Sequence, residues 1–259
     1  MNFFLRAFTS FFYVSLLLGS LFINATFFAV VILLMTTIAI WELQNISAKK
    51  IPLTYVVFVI LFYAAKQYPQ ITTSVFIASL LGNFLLLASF WQKKKSRLTL
   101  GKVYFLGVIQ LAVPMFLLAF FAQQHAALIA LFFCVIWLND SAAFLIGSLL
   151  GKTPLAKSIS PNKTFEGFIG GILLSSGTAV VIGSYLTQIH NFQLFILALV
   201  TSLAASIGDL IQSKIKRICG VKDSGRILPG HGGIYDRIDS TLFAIPVFLG
   251  TLYLLSYVS

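Results

Sequence analysis

The residues whose types and spacing could carry out chemistry are concentrated in one stretch near the C-terminus, residues 209–240. This stretch holds four of the seven carboxylates in the chain and six of its eighteen Lys and Arg residues. The segments on either side, 194–207 and 242–257, are almost wholly apolar. Carboxylates and cations gathered between two apolar segments indicate chemistry at the surface of a membrane.

The spacing of the carboxylates within this stretch predicts a metal site. Asp209 and Ser213 are four residues apart and therefore share one face of a helix. Their oxygen atoms suit a hard cation such as Mg²⁺ better than zinc. Asp236 and Asp239 share a face at the start of the last apolar segment. Because Asp209 and Asp236 lie at the ends of adjacent predicted helices, we expect both to bind one metal, with Ser213 nearby.

Cations and glycines surround these carboxylates. Lys216 and Arg217 follow Asp209 within about two turns of helix, and four glycines, at 225, 230, 232 and 233, flank His231. Glycines allow close approach of the backbone, and exposed backbone N–H groups can hold an anion. Two carboxylates with hard cations and surrounding Lys and Arg residues are typical of phosphoryl or nucleotidyl transfer.

A second polar group precedes the first in the chain. Asp140 interrupts an apolar segment, and an ionisable residue inside a membrane segment is a candidate functional residue. Lys163 follows after a Ser-Pro turn and is a candidate phosphate ligand. Glu166, near a predicted helix start, has two interpretations that stay open: a helix-dipole partner or a site residue.

The composition excludes an ordinary soluble domain. Hydrophobic residues make up 59% of the 259 residues and charged residues only 10%, whereas soluble domains carry about 25% charged residues. We therefore predict an all-α, polytopic bundle of transmembrane helices. Cys134 and Cys219 are predicted not to form a disulfide, and no nucleic-acid partner is expected despite the net charge of +11.

Nine segments have the length and apolarity of a membrane span. The third is short for a span, and the sixth carries Asn139 and Asp140, which suggests a break in its helix. The predicted spans are 7–23, 26–43, 51–65, 71–91, 103–122, 126–150, 168–188, 192–211 and 242–258.

The distribution of positive charge predicts the orientation. With the N-terminus in the cytoplasm, seventeen of the eighteen Lys and Arg residues fall on the cytoplasmic side and only Lys66 falls opposite, as the positive-inside rule requires. The basic run at 93–97 then acts as an orientation anchor on anionic lipid. We predict a single membrane domain, 1–259, in which 1–125 is mainly scaffold, 126–259 is catalytic, and the active site lies on the cytoplasmic face.

The polar residues resemble the C-terminal motif of the phosphatidate cytidylyltransferase (CDP-diacylglycerol synthase) family. The motif occurs here without gaps, and the block at 139–141, the block at 160–167 and Trp41-Glu42 also fit. Gln212 stands where family members usually carry Glu. The matching motif residues are Ser213, Lys216, Arg217, Lys222, Asp223, Pro229, His231, Gly232, Gly233, Asp236, Arg237 and Asp239.

The resemblance implies transfer of CMP from CTP to phosphatidate, giving CDP-diacylglycerol and pyrophosphate in the inner membrane of a bacterial-type cell. It implies Mg²⁺, with a second cation left open, and CTP, phosphatidate and membrane lipids as partners, with a homodimer also left open. The implied catalytic residues are Asp209, Lys222, Asp223 and Asp236, and the implied metal ligands are Asp209, Ser213 and Asp236. The implied substrate-binding residues are Asn139, Asp140, Lys163, Lys216, Arg217, His231, Arg237 and Asp239.

Three other functions stay open at this point. A transporter would also place carboxylates inside a membrane, but the polar residues here gather on one predicted side. A CTP-dependent lipid-alcohol kinase would use similar residues to transfer the γ-phosphoryl group. An inactive scaffold is the third alternative, because Gln212 replaces the usual Glu.

Overall fold

We describe the chain from a computed structural model, which covers residues 3–68, 70–90 and 98–256. This part of the chain consists of ten α-helices and one short β-hairpin. The helices are α1 (Phe3–Ile23), α2 (Ala25–Ile46), α3 (Leu53–Gln67), α4 (Ile71–Phe90), α5 (Leu100–Phe105), α6 (Val113–Ala122), α7 (Ala126–Leu150), α8 (Phe165–Leu186), α9 (Asn191–Ile218) and α10 (Asp239–Ser256), and the strands are β1 (Pro154–Ala156) and β2 (Ser160–Thr164).

The length and apolarity of the helices confirm the predicted all-α, polytopic membrane bundle. Seven helical segments in the described residues are long and apolar enough to cross a membrane, and two shorter apolar helices, Phe8–Ile23 and Leu53–Ala64, accompany them. The chain is therefore an integral membrane protein. Nine spans and a cytoplasmic N-terminus stay predictions. The seven segments are Ala25–Ile46, Ile71–Phe90, Leu100–Ala122, Ala126–Leu150, Phe165–Leu186, Asn191–Ile218 and Asp239–Ser256.

The third predicted span corresponds to the shortest of the helical segments that match the nine predicted spans. Helix α3 has 15 residues, which gives a length of about 22 Å, less than the roughly 30 Å hydrocarbon core of a bilayer. Some of its side chains pack inward, since Phe58 is buried and its ring meets that of Phe62 edge-on, with centroids 5.2 Å apart.

The suggested break in the sixth span is wrong, because α7 is continuous through Asn139 and Asp140. Asn139 is buried and its amide donates to Ser206 Oγ on α9 at 3.0 Å, while the Asp140 side chain faces a cavity. Because Asn139 has a hydrogen-bond partner and Asp140 faces a cavity, α7 keeps its regular backbone hydrogen bonds through both residues. The irregular segment is instead a π-helical stretch, Leu106–Ala112, which joins α5 to α6.

Small residues allow α7 and α8 to pack closely. A methyl group added at Gly171 would lie 2.9 Å from both the Asn139 carbonyl oxygen and the Ala143 side chain. Close approach through small residues is the usual way in which membrane helices associate. This contact fixes the position of Asp140 relative to the hairpin that leads into α8.

Helix α9 is longer than the predicted span 192–211. It begins after His190, whose Nδ1 accepts a hydrogen bond from the Phe192 N–H at 3.3 Å, and it ends at Ile218. Asp209, Ser213 and Lys216 are therefore carried by one rigid element. The last helix likewise begins three residues before its predicted start, at Asp239.

The β-hairpin was not predicted. Its two strands are antiparallel and occupy the connection between α7 and α8, which the sequence analysis treated as a loop with a turn. The predicted basic anchor at 93–97 and the predicted end of the last span, from 257 onward, lie outside the described residues.

Candidate active site

Helix α9 presents Asp209 toward the hairpin. Ser213 Oγ donates to Asp209 Oδ1 at 3.2 Å, as expected from their spacing of one turn. The Lys163 ammonium group, from β2, forms an ion pair with Asp209 Oδ2. About a third of the Lys163 side chain is exposed (33%), so its charge remains accessible to a ligand.

The hairpin that positions Lys163 is attached at both of its ends. The Glu166 carboxylate accepts hydrogen bonds from the Lys152 and Thr153 N–H groups at 3.1 Å, and Thr164 Oγ1 accepts from the Gly167 N–H at the start of α8. Arg217 Nε donates to the Ile159 carbonyl at 3.2 Å, which ties the hairpin to the end of α9. The Glu166 carboxylate thus binds backbone groups at the start of the hairpin, and these contacts favour a structural role over a role as a site residue.

Three carboxylates from three helices lie close enough to interact electrostatically. Asp140 of α7 interacts with both Asp209 and Asp239, and Asp209 interacts with Asp239. Lys163 and Arg237 interact with both Asp140 and Asp239. Carboxylates gathered in this way within a membrane protein need cations nearby, and the two basic residues provide part of that charge.

Lys216 connects this group to Asp236. Its ammonium nitrogen lies 2.7 Å from Asp236 Oδ1 and 3.6 Å from Asp239 Oδ2. Both ends of the closer pair are buried, with 8% of the Lys216 side chain and 5% of the Asp236 side chain exposed. The single positive charge of Lys216 is therefore shared between two carboxylates.

The second oxygen of Asp236 binds the loop at 224–235, which contains the four glycines and is called the glycine-rich loop below. Asp236 Oδ2 accepts from the Ser224 N–H at 2.8 Å, the Gly233 N–H at 2.9 Å and the Ser224 hydroxyl at 3.0 Å. Burial alone would raise the pKa of Asp236, but the charge of Lys216 and these hydrogen bonds outweigh burial and hold the pKa below its usual value. Asp236 is thus a stable carboxylate at neutral pH.

Gly232 shows why this loop needs glycine. Its φ is +83°, a left-handed conformation that side chains disfavour, and a methyl group there would lie 2.6 Å from Asp236 Oδ2. The loop turns back on itself at this point, since the Leu228 N–H donates to the Gly232 carbonyl at 2.9 Å.

Helix α1 covers the loop from the N-terminal half. Thr9 Oγ1 lies 2.5 Å from His231 Nδ1, and Ser10 Oγ lies 3.0 Å from His231 Nε2. The Tyr13 hydroxyl donates to the Arg237 carbonyl at 3.2 Å. Both ring nitrogens of His231, a predicted substrate contact, are therefore engaged by hydroxyl groups of α1.

A cavity of ≈ 290 Å³ lies between α1, α7 and the loop. The predicted site residues Asp140, His231, Asp236, Arg237 and Asp239 line it, together with hydroxyl groups from α1. A second cavity of ≈ 300 Å³ is bounded by α4, α5 and α9, and its described lining is mostly apolar and contains no carboxylate. The first cavity is therefore the one of these two that carries carboxylates, although Asp209, Ser213, Lys163 and Lys216 are not among the residues that line it.

Some predicted residues lie apart from this cavity. Asn139 is buried between α7 and α9, and Arg217 is exposed and bonded to the hairpin and to the Val221 carbonyl. Lys222 and Asp223 are exposed in the loop after α9, where neither forms a hydrogen bond or ion pair with another described residue. Their predicted roles stay predictions.

Gln212, which stands where Glu is usual, is buried beneath the loop. Its Oε1 accepts a hydrogen bond from the buried Tyr235 hydroxyl. Its Nε2 has no hydrogen-bond partner among the described residues. The contact supports Tyr235 directly before Asp236, so the substitution affects the support of the loop and leaves the ion pairs around Lys216 in place.

Several residues at the site had no role predicted for them, although Trp41-Glu42 was noted as fitting the family resemblance. Glu42 of α2 contacts the glycine-rich loop, Ser224 lies between Glu42 and Asp236, and Thr9, Ser10 and Tyr13 come from α1. The sequence carries a signal for Glu42, because a carboxylate inside an apolar 22-residue helix is a candidate functional residue by that fact alone. Hydroxyl residues in α1 carry no comparable signal.

The oxygen donors at this site fit Mg²⁺. No group of three or more His, Cys, Asp or Glu side chains in the described residues forms a ready metal-binding cluster. Mg²⁺ usually takes one or two carboxylates and completes its coordination with water and substrate phosphates. Asp209 with Ser213, and the pair formed by Asp236 and Asp239, could supply those carboxylates once a triphosphate is bound.

Comparison with known proteins agrees with this chemistry. A phosphatidate cytidylyltransferase of Staphylococcus haemolyticus is 36% identical over 223 residues, which cover 83% of this chain and 85% of the relative. Phosphatidate cytidylyltransferases of Staphylococcus epidermidis and Staphylococcus aureus are 49% and 48% identical over 116 and 118 residues, in each case 44% of this chain and 45% of the relative.

The family comparison covers nearly the whole molecule, from α1 to the end of α10. The sequence model of the Cytidylyltransferase family matches residues 4–255. This range includes every carboxylate and every cation described above. The chain therefore belongs to the cytidylyltransferase family.

Proposed function

We propose that this protein transfers CMP from CTP to phosphatidate, producing CDP-diacylglycerol and pyrophosphate. The observation that carries the proposal is a cavity lined by Asp140, Asp236, Asp239 and Arg237. Lys216 joins Asp236 to Asp239, and Lys163 pairs with Asp209 on α9. Family membership and relatives named phosphatidate cytidylyltransferase support the same reaction.

The reaction forms one bond and breaks one bond. A phosphate oxygen of phosphatidate bonds to the α-phosphorus of CTP, and the bond from that phosphorus to the oxygen bridging to the β-phosphorus breaks. Pyrophosphate leaves with the electron pair. A phosphate monoester is already an anion at neutral pH, since its second pKa is about 6, so the attacking group needs no protein nucleophile and no general base.

Positioning and charge neutralisation then supply the catalysis. Lys163 and Arg237 border the carboxylate group and face the triphosphate and the lipid phosphate. Lys216, buried between Asp236 and Asp239, holds those two carboxylates in place. His231, anchored by Thr9 and Ser10, forms part of the cavity wall next to the bound phosphates.

Mg²⁺ belongs to this proposal as the predicted cofactor. Asp209, Ser213 and Asp236 are its proposed ligands, and Asp239, which shares the partner Lys216 with Asp236, is a further candidate. A cation held by these residues would supply positive charge to offset the negative charge that develops on the phosphate oxygens. A second cation is compatible with the number of carboxylates.

We further propose that the site faces the cytoplasm at the inner membrane of a bacterial cell. The distribution of Lys and Arg along the sequence supports this orientation. CTP then arrives from the cytoplasm, while the acyl chains of phosphatidate stay in the bilayer beside the apolar helices.

The test uses the purified full-length chain in detergent with phosphatidate, Mg²⁺ and CTP radiolabelled at either the α- or the γ-phosphorus. We expect the α label, and not the γ label, to enter the lipid. Transfer of the γ label would indicate a lipid kinase, and absence of both labels from lipid would refute the proposed transfer and favour a transporter or scaffold. Asp209→Asn serves as the negative control, because it removes the charge that pairs with Lys163.

A further inference from the structure

Glu42 lies fully buried near the cytoplasmic end of α2 as oriented above, with 0% of the residue exposed. It is the only carboxylate in the first half of the sequence. The described residues place no Lys, Arg or His within ion-pair distance of it. A carboxylate in this setting must be held by neutral donors, because leaving it without partners would be costly.

Those donors all come from the glycine-rich loop. Glu42 Oε1 accepts from the Ile234 N–H at 3.1 Å, and Oε2 accepts from the Tyr235 N–H at 2.8 Å and from the Ser224 hydroxyl at 2.9 Å. Two of the three donors are backbone groups directly before Asp236. The carboxylate thus fixes the backbone that presents Asp236.

Two glycines make this contact feasible. A methyl group added at Gly225 or at Gly233 would overlap the Glu42 carboxylate. Neither glycine has a positive φ, so the backbone conformation does not demand glycine at either position. The close approach of Glu42 is what requires glycine at both positions. The loop sequence is therefore matched to a residue almost two hundred positions earlier.

Ser224 extends the contact to Asp236. Its hydroxyl lies 2.9 Å from Glu42 Oε2 and 3.0 Å from Asp236 Oδ2, and its backbone N–H donates to Asp236 Oδ2 at 2.8 Å. Asp236 in turn pairs with Lys216. The Ser224 hydroxyl has one proton to share between the Glu42 and Asp236 oxygens, but its backbone N–H also binds Asp236, so hydrogen bonds run without a break from α2 through the loop to α9.

We propose that Glu42 is a positioning residue of the CMP-transfer site, which holds the loop at 224–235 so that Asp236 and Lys216 keep their catalytic geometry. This inference rests on the proposed function. Glu42 touches no substrate in this role and acts through Asp236. Small displacements at such a site are costly, since a shift of about 1 Å can reduce turnover about 100-fold.

The test is Glu42→Gln, which keeps the side-chain shape and places an amide NH₂ where at least one loop donor needs an acceptor. We expect kcat for CMP transfer to fall about 10- to 100-fold. The KM for CTP should change less than kcat, because Lys163, one of the two proposed phosphate contacts, is positioned by the hairpin and not by Glu42. Trypsin cleavage after Lys222 and Arg226 should become faster as the loop loosens.

Gln44→Leu is the matched control. Gln44 is buried in the same helix and makes two hydrogen bonds, from its Nε2 to the Ile51 carbonyl at 3.0 Å and from the Ile51 N–H to its Oε1 at 3.1 Å. Its loss should lower the unfolding temperature while kcat per folded molecule stays within about twofold of wild type, since both of these hydrogen bonds go to Ile51 and not to the loop.

A kcat for Glu42→Gln within twofold of wild type would overturn the inference, as would a loss no greater than that of Gln44→Leu. If Glu42→Gln does not fold, Ser224→Ala carries the test, because it removes only the hydroxyl between the two carboxylates. Ser224→Ala should then lower kcat about 3- to 10-fold, and an unchanged kcat would refute the inference. Wild-type protein without CMP transfer would refute the proposed function instead, which separates the two failures.

Discussion

Replacing Asp236 by Asn tests whether this residue binds metal or only supports its surroundings. Asp236 accepts four hydrogen bonds, one from Lys216 on Oδ1 and three from Ser224 and Gly233 on Oδ2. An Asn side chain can satisfy the three donors on one side with its oxygen. Its NH₂ group then faces the Lys216 ammonium and cannot accept from it.

The cost to stability follows from that count. One charge-assisted hydrogen bond is lost, which is worth about 1.5–3 kcal/mol at a buried position. The Lys216 ammonium group still has a carboxylate partner in the variant, because Asp239 Oδ2 lies 3.6 Å away. We therefore expect Asp236→Asn to fold and express, with an unfolding temperature a few degrees below that of wild type.

The effect on activity should be much larger if Asp236 is a metal ligand. We expect turnover to fall by at least about 100-fold and the Mg²⁺ concentration for half-maximal activity to rise. The assay is CMP transfer from α-labelled CTP across a Mg²⁺ titration, with Asp239→Asn measured in parallel. Lower turnover with an unchanged Mg²⁺ requirement in Asp236→Asn would remove Asp236 from the ligand set, and a raised requirement in Asp239→Asn alone would assign the ligand to Asp239.

Three further outcomes are expected. The ion pair with Lys216 lowers the folded-state pKa of Asp236. The stability from that pair should therefore be complete above about pH 4 and lost as the pH falls through the folded-state pKa. Thermal unfolding measured against pH should show a smaller loss of stability in acid for Asp236→Asn than for wild type. Gly232→Ala should lower activity at least about 10-fold, because its methyl group presses on Asp236, whereas Gly220→Ala, with a similar φ of +78° and open space around it, should cost only about 1 kcal/mol of stability; equal activities would contradict this. Lys163→Met should reduce kcat/KM for CTP about 100-fold or more by removing a phosphate contact and the partner of Asp209, and an unaffected kcat/KM would show that Lys163 serves structure alone.

Local sequence patterns predicted the parts of the site that lie on single elements. The four-residue spacing of Asp209 and Ser213 placed both on one helix face, and their side chains are hydrogen-bonded. The apolar content predicted the helical bundle because lipid imposes helices wherever the chain crosses it. The extension of α9 to Ile218 was not predicted, since hydropathy ends where polar residues begin while the helix continues.

Contacts between distant segments could not be predicted. The hairpin that carries Lys163 and the hydroxyl groups that meet His231 depend on how α1 and α9 pack against the rest of the bundle. Hydropathy gives the order and apolarity of helices and does not give their neighbours. The division into a scaffold half and a catalytic half stays a prediction, although Glu42, Thr9 and Tyr13 of the first half all contact the loop that carries Asp236 or its neighbours.

The balance of charge at the site explains why a metal is expected. Four carboxylates, Asp140, Asp209, Asp236 and Asp239, accompany three cations, Lys163, Lys216 and Arg237, so the formal charge of these side chains is at most one negative unit in excess before any substrate binds. A nucleoside triphosphate and a lipid phosphate bring several more negative charges into a space bordered by apolar helices, where unbalanced charge is costly. Two of the three cations, Lys163 and Lys216, are already paired with carboxylates, so part of their charge is offset before a triphosphate binds. A divalent cation held by these carboxylates would supply the missing positive charge and would make the site favourable for a triphosphate.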